Sequence, residues 1–213
     1  MATAMSSTLT DDVFRAANPQ LAAVGFRKRK AGIFTIDVGE EVLGWLGLNN
    51  AYHPGEDALE VNPVVGVRHQ GVERLVAQLG AREFHPYLPP TVSSPIGYLM
   101  PAKRYTYWLF RRSEPPQPRM AELVSAVAAY GLSFMRSTSS LDELRHQIEA
   151  GTGIPYALAY RLPVVCLMAG DESGALAALE ESVQALGDKQ DPYSVEFRAF
   201  SKRFRSMCGS GSV

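Results

Sequence analysis

The hydrophobic pattern of this chain changes its period at one proline-rich segment, Ser113-Glu-Pro-Pro-Gln-Pro118. Before this segment, short apolar runs lie between turn residues, which is typical of strands. After it, apolar residues recur every three or four positions, which is typical of helices. We therefore predict an α+β fold. Its sheet-containing part covers residues 9–112, its helical part covers 119–207, and residues 113–118 connect the two.

The first part predicts an antiparallel sheet of about five strands with flanking helices. A helix capped by Thr10 or Asp11 comes first, and Pro19 is expected to kink or split it, because proline has no amide hydrogen to donate. The predicted strands share β-branched and aromatic residues between turn residues, and they cover 32–38, 42–48, 58–67, 96–100 and 105–110. Tight turns between them favour antiparallel pairing.

The second part predicts a layer of four or five helices. Ser140 and Glu143 form a capping box at the start of one of them. Phe197, Phe200 and Phe204 lie on one stripe of the last helix, which we expect to dock on other helices of this chain. Because such a stripe needs a partner surface, the two parts are expected to form one continuous body over residues 1–213. The Gly/Ser-rich end, 209–213, is expected to be a flexible tail.

Composition predicts a globular protein of the cytoplasm. Apolar residues make up 46 % of the chain and charged residues 20 %, and both values are close to the globular average. The N-terminus lacks the basic and apolar regions of a signal peptide, and no apolar run is long enough to span a membrane, so no membrane partner is expected. With only two cysteines, Cys166 and Cys208, the chain suits a reducing compartment.

The sequence lacks the motifs of several common metal, cofactor and catalytic sites. The four histidines, His53, His69, His85 and His146, have no metal-ligand spacing, so no metal site is predicted. There is no phosphate-binding loop, no dinucleotide fingerprint and no strand–serine–helix elbow. We therefore predict neither a cofactor nor a recognisable catalytic residue.

The candidate binding residues are cations and tyrosines. One group is the basic run Arg27, Lys28, Arg29 and Lys30. The other comprises Lys103, Arg104, Tyr105, Tyr107, Arg111 and Arg112, which belong to or flank the last predicted strand. Tyr105 and Tyr107 share one face of that strand, because side chains alternate along it. Aromatic rings beside cations can hold a protein or a single-stranded nucleic acid, and charges at strand ends also keep a sheet edge from aggregating.

A second set of candidates lies in a predicted loop at 49–55. Asn49, Asn50, Tyr52 and His53 supply amide, phenol and imidazole groups there. They suit a hydrogen-bonding surface, although asparagine, proline and glycine also simply form turns. If the protein is an enzyme with a site assembled from separate segments, Asn49, Tyr52, His53 and His85 are the first candidates for it.

Residues 21–79 resemble a class of uncharacterised bacterial α+β domains. In these a helix ends in Gly-Phe followed by basic residues, here Gly25-Phe26 and Arg27 to Lys30, and an aromatic-bearing strand comes next, here 33–38. Several proteins of this class are immunity partners in polymorphic-toxin systems. The resemblance implies an immunity role and carries no catalytic residue across.

These observations favour a non-enzymatic protein that binds another protein, of immunity or accessory type. The formal charge of −1 comes from 21 basic and 22 acidic side chains, so no strong positive excess favours a polyanion. A nucleic-acid-binding accessory subunit that uses Arg27 to Lys30 with the strand at 103–112 is one alternative. An enzyme with a dispersed site is the other, and the sequence does not fix the oligomeric state.

Overall fold

The computed structural model describes residues 2–209, and it describes side chains from Leu9 onward. The predicted flexible tail therefore lies, except for Gly209, outside the described residues. The fold is α+β, as predicted, with an antiparallel sheet in the N-terminal half and mostly helices after it. Two compact units are present. The first combines the chain up to Val67 with Ser93–Ser137, and the second combines Arg68–Val92 with the chain from Thr138 onward.

Six strands form the sheet. They are β1 (Arg27–Lys30), β2 (Ile33–Gly39), β3 (Val42–His53), β4 (Ala58–His69), β5 (Val92–Pro95) and β6 (Trp108–Arg111). Their order is β1-β2-β3-β4-β5, and β6 pairs with the beginning of β4. The β2–β3 hairpin closes at Gly39 to Val42, with Glu41 in the left-handed region at a φ of 55°.

The helices are α1 (Ala2–Ala23), α2 (Gln70–Leu79), α3 (Pro116–Ala126), α4 (Leu132–Ser137), α5 (Leu141–Glu149), α6 (Pro155–Met168), α7 (Glu172–Leu186) and α8 (Pro192–Gly209). A π-helical turn, Val127–Gly131, joins α3 to α4. The predicted N-cap at Ser140 is confirmed, because its hydroxyl accepts a 3.2 Å hydrogen bond from the Glu143 amide, while the Glu143 carboxylate accepts from Gln147.

In the first unit, α1 packs on α3, and the α3–α4 segment covers one face of the sheet. Phe34 and Leu46 are fully buried neighbours on that face. Gly44 lies on the same strand as Leu46 and allows the helices to come close. A Cβ atom there would be only 2.7 Å from the Met135 sulfur and from Ile36.

The prediction that Pro19 splits the first helix is wrong, because α1 runs through Pro19 without interruption. The helix also begins at Ala2, well before the predicted cap at Thr10 or Asp11. Pro19 lies on the exposed side, whereas Ala17 and Leu21 are fully buried. Packing of the buried side therefore holds the helix together across the one missing hydrogen bond. Pro163 likewise lies inside α6 without ending it.

The predicted strand at 96–100 is also wrong. The ladder ends at Pro95, and residues Ile96–Tyr98 form a single 3-10 turn. In that turn the Gly97 carbonyl accepts a 3.2 Å hydrogen bond from the Arg104 amide. A side chain at position 97 would collide with the Arg104 carbonyl oxygen, so glycine is required for this close approach.

The last predicted strand begins three residues later than expected, at Trp108 rather than at Tyr105. The β4–β6 register pairs Val61 with Trp108, and continuing it would place Pro63 opposite Thr106. Proline has no amide hydrogen for the ladder. The Asn62 side chain instead donates a 2.6 Å hydrogen bond to the Thr106 carbonyl, which holds 105–107 beside β4 without strand pairing.

In the second unit, the aromatic stripe of α8 is buried within the chain, as predicted. Phe197, Phe200 and Phe204 are all fully buried. The rings of Phe197 and Phe200 pack edge-on against Tyr160 of α6, at centroid distances of 4.8 and 4.9 Å. Helix α8 also packs on α7 and α2.

A buried ion network lies elsewhere in the same unit. Arg161 donates from Nε to Glu73 at 2.8 Å, and Arg68 approaches the other carboxylate oxygen at 3.4 Å. Arg68 also donates to the backbone oxygens of His85 and Pro89, which fixes that loop. Burial lowers the pKa of Arg68 to about 10, and the charge of Glu73 opposes this shift.

Candidate functional site

Part of each set of candidates meets in the first unit, where β3 ends, β4 begins and β6 lies alongside: Tyr52 and His53 from one set, and the residues at 103–112 from the other. Strand β3 continues to His53, so the predicted loop at 49–55 is wrong over most of its length. A 3-10 turn, Pro54–Glu56, and Asp57 in the left-handed region at a φ of 43° then lead directly into β4. This tight return places the end of β3 beside the first residues of β4.

Strand β6 brings the candidates at 103–112 to the same place. Its register pairs Ala58 with Arg111 and Glu60 with Leu109. The Arg112 amide donates to the Asp57 carbonyl at 3.2 Å, so the pairing extends one residue beyond the strand. Arg111 therefore lies beside Glu56 and Arg112 beside Asp57. Glu60 follows them on β4, and we name these three carboxylates the acidic row: Glu56, Asp57 and Glu60.

Glu60 connects a tyrosine with a histidine. One carboxylate oxygen accepts a 2.6 Å hydrogen bond from the Tyr105 hydroxyl, and the other lies 3.2 Å from His53 Nε2. The hydrogen bond to Glu60 raises the pKa of Tyr105 to about 12, with desolvation and the charge of Glu60 acting in the same direction. The phenol therefore keeps its proton at neutral pH.

Asp57 connects a second tyrosine with an arginine. It accepts a 2.6 Å hydrogen bond from the Tyr52 hydroxyl and one of 2.8 Å from Arg112 Nε. The Tyr52 bond, ahead of the Arg112 bond, lowers the pKa of Asp57 below its usual value. The same bond to Asp57 raises the pKa of Tyr52. Glu60 therefore fixes the ring of Tyr105, and Asp57 fixes the ring of Tyr52.

Three half-exposed tyrosines surround this hydrogen-bonded network, and we call them the tyrosine surface: Tyr98, Tyr105 and Tyr107. Their exposed fractions are 49 %, 51 % and 49 %. The rings of Tyr105 and Tyr107 lie 6.0 Å apart at an angle of 44°. Tyr98 belongs to the turn that the Gly97–Arg104 hydrogen bond holds against this segment.

The cations of this region are interleaved with the acidic row. Arg111 lies 3.3 Å from Glu56, and Arg112 lies 2.8 Å from Asp57. Lys103 and Arg104 are exposed and form no ion pair within residues 9–209. The local charge is consequently mixed rather than strongly positive.

The basic run at Arg27–Lys30 forms a short strand of its own, β1, at the other end of the strand order. Two strands separate it from β4, which corresponds to about 14 Å at the usual strand spacing. Arg27 lies 3.2 Å from Asp37, and Arg29 Nε donates to the Thr35 hydroxyl at 2.8 Å. The sheet therefore does not bring the two basic segments together.

The remaining candidate residues, Asn49, Asn50 and His85, lie outside this hydrogen-bonded network. Asn49 and Asn50 are exposed on β3, where the Asn50 side chain donates to the Leu48 carbonyl at 3.4 Å. His85 belongs to the second unit. Its ring lies edge-on to Tyr87 at 4.4 Å, and its Nδ1 accepts a hydrogen bond from the Tyr87 amide.

Sequence reasoning missed the residues that connect the site, namely the acidic row and Tyr98. Glu56 and Asp57 look like ordinary solvated turn residues in the sequence. Glu60 does carry a signal, because it lies between Leu59 and Val61, which are both fully buried. Alternation places its carboxylate on the opposite side of the strand from those two residues. The partners of that carboxylate, Tyr105 and His53, come from distant segments and only the fold reveals them.

Within the part of the chain that the structure describes, no cluster of three or more histidine, cysteine or acidic side chains is placed to hold a metal ion. A search of the same residues finds no helix with the length and apolar character needed to cross a membrane. Comparison with known proteins finds no match to a family model, a curated protein or a solved structure.

Proposed function

We propose that this is a non-enzymatic protein of immunity or accessory type that binds another protein through the tyrosine surface and the adjoining acidic row. The observation that carries the proposal is a set of three half-exposed tyrosines, one of them fixed by a carboxylate, on one side of the first unit. Tyrosine and arginine are the residues most enriched at the centres of protein interfaces, together with tryptophan.

The hydrogen bonds beneath the surface support this role. Binding normally costs about 0.5–1.5 kcal/mol for each flexible side chain that becomes ordered. Tyr105 is already fixed through Glu60, and Tyr52 and Arg112 are already fixed through Asp57. A partner that meets these groups therefore loses less free energy to ordering than it would on a surface of unrestrained side chains.

The charge pattern favours a protein over a nucleic acid. Single-stranded nucleic acids bind in grooves where cations follow the phosphates and aromatic rings stack with bases. Here the tyrosines are present, but Arg111 and Arg112 are paired with Glu56 and Asp57. Carboxylates at these positions repel phosphates, whereas they match the mixed charge of a protein surface.

The raised pKa of the Tyr105 phenol favours a binding role over a catalytic one. A general acid or base works best when its pKa lies near the working pH. Glu60 moves Tyr105 away from this range, because it raises the pKa of the phenol to about 12. His53, the other group that contacts Glu60, has a side chain that is 44 % exposed, whereas acid–base catalysis is helped by a site that excludes water.

Affinity capture from an extract of the native cells tests the proposal. We expect the immobilised wild-type protein to retain a specific protein and the double variant Tyr105→Ala/Tyr107→Ala to lose it. Tyr156→Ala is the matched control, because Tyr156 is a 62 % exposed tyrosine of the second unit. Equal retention by the wild type and the double variant would contradict the assignment, as would loss that also occurs with the control.

A further inference from the structure

Strand β1 is the end strand of the sheet. It pairs with β2 alone, through the register Arg27 with Thr35, Lys28 with Phe34 and Lys30 with Ile33, and the register shifts by one residue between Lys28 and Lys30. No backbone hydrogen bond outside the sheet involves these four residues within the described chain. The outer side of β1 therefore presents amide and carbonyl groups on which a further strand can pair.

Each side chain of this end strand is basic and exposed. Arg27 and Arg29 are held by Asp37 and the Thr35 hydroxyl of the neighbouring strand. The side chains of Lys28 and Lys30 form neither an ion pair nor a hydrogen bond with any residue from 9 to 209. Two lysines are thus available next to an unpaired backbone edge.

We propose that β1 is a second binding site, which takes an acidic, extended peptide segment of a partner protein by strand addition. In this mode the added backbone supplies the hydrogen bonds and its side chains supply the specificity. Carboxylates on the added strand lie opposite cations of β1, and cross-strand pairs of opposite charge are stabilising.

The same charges determine which occupants are disfavoured. A second copy of this chain that paired β1 with β1 would bring four cations against four cations, and like charges placed directly opposite are destabilising. A nucleic acid would meet cations here but has no amide donors to continue the ladder. An acidic peptide satisfies both the backbone edge and the charge.

Strands β2 and β3 separate this site from β4, on which β6 pairs, and the proposal does not rest on the function proposed for the tyrosine surface. Either proposal can fail alone. The variants that test β1 leave Tyr105 and Tyr107 unchanged, so loss of peptide binding in them reports on β1 only.

The test uses the full-length protein and a short labelled peptide of alternating glutamate and valine. We expect saturable binding by fluorescence anisotropy and slower amide exchange at Arg27–Lys30. Lys28→Ala/Lys30→Ala should weaken binding about tenfold, since exposed ion pairs contribute up to about 1 kcal/mol each. Lys189→Ala/Lys202→Ala, which removes two exposed lysines of the second unit, should bind as the wild type does.

A peptide of the same sequence, N-methylated at alternate residues, separates strand addition from simple charge attraction. It keeps the carboxylates but cannot complete the ladder, so we expect it not to bind. Equal binding of the methylated peptide would overturn the proposal. Absence of binding by the unmodified peptide would also overturn it. A third contradicting result would be a single-stranded oligonucleotide that binds more tightly than the peptide at the same salt concentration and loses as much affinity in the Lys28→Ala/Lys30→Ala variant.

Discussion

The Glu60 carboxylate accepts a 2.6 Å hydrogen bond from the Tyr105 hydroxyl and thereby fixes one ring of the tyrosine surface beside the first residues of β4. Its other oxygen lies 3.2 Å from His53. A single side chain on β4 therefore joins the end of β3 to the segment before β6. Replacing Glu60 by a neutral residue should change the Tyr105 hydroxyl and leave the fold intact, because the contacts made by Asn62 and Asp57 remain.

The first prediction concerns the titration of Tyr105. Its pKa is raised from 10.0 to about 12, so the folded protein holds this proton more tightly than the unfolded chain does. The resulting stability is fully present below pH 10 and is lost as the pH rises toward 12. Tyrosinate absorbance of the wild type minus that of Tyr105→Phe should therefore rise with a midpoint near 12.

Glu60→Gln tests the cause of this shift. It removes the charged acceptor, so the difference titration should move down toward the ordinary tyrosine value. Glu122→Gln, which changes an exposed carboxylate of α3 paired with Arg119, should leave the titration where it is. An unchanged midpoint in Glu60→Gln would show that Glu60 does not hold the phenol.

The second prediction concerns the buried ion network. Glu73→Gln leaves the charges of Arg68 and Arg161 buried without a counter-charge, and breaking a buried pair typically costs about 3–5 kcal/mol. Urea unfolding should show a loss of that size in the free energy of unfolding. The control is Glu149→Gln, whose carboxylate is half exposed; it should cost at most about 1 kcal/mol. Equal effects in the two variants would refute the structural role of Glu73.

The third prediction concerns the aromatic stripe of α8. Phe200→Ala removes a fully buried ring that packs on Tyr160. It should lower the free energy of unfolding by about 3–5 kcal/mol without a change of mass in light scattering. Val195→Ala, at a half-exposed position of the same helix, should change it by less than about 0.5 kcal/mol. A stable Phe200→Ala protein with a smaller mass would show that the stripe forms an interface between copies.

The fourth prediction concerns the side chain that replaces a strand hydrogen bond. Asn62→Ala removes the donor to the Thr106 carbonyl and should cost about 1 kcal/mol of stability. Amide exchange of residues 105–107 should accelerate, because this hydrogen bond holds the backbone of the segment beside β4. Asn50→Ala, whose side chain makes only a long 3.4 Å contact, should leave exchange of that segment unchanged. Unaltered exchange in Asn62→Ala would contradict this role.

Long periodic elements of the fold were predictable from the sequence, and short ones were not. The β2–β3 hairpin and the cap at Ser140 follow from local alternation and a capping residue. The beginning of β6 depends on Pro63, more than forty positions away, which interrupts the ladder opposite Thr106. No local pattern around Tyr105 carries that information.

The candidate site was likewise predictable only in part. Exposed tyrosines beside cations stand out in the sequence at 103–112, whereas the acidic partners of those cations do not. Glu56 and Asp57 neutralise Arg111 and Arg112 only because a 3-10 turn returns the chain beside β6. The residues at 103–112 taken alone therefore suggest a more positive surface than the folded protein has, because strand pairing places Glu56 and Asp57 beside their arginines.

Site-specific crosslinking in the native cells tests the central claim, that the tyrosine surface binds a protein, most directly. A benzophenone side chain placed at Tyr107 should crosslink to one protein of discrete mass. The same group at Tyr156, a tyrosine of the second unit that is more exposed than Tyr107, should not crosslink to that protein. Crosslinks from position 107 to nucleic acid, or a protein pattern identical to that from position 156, would contradict the account.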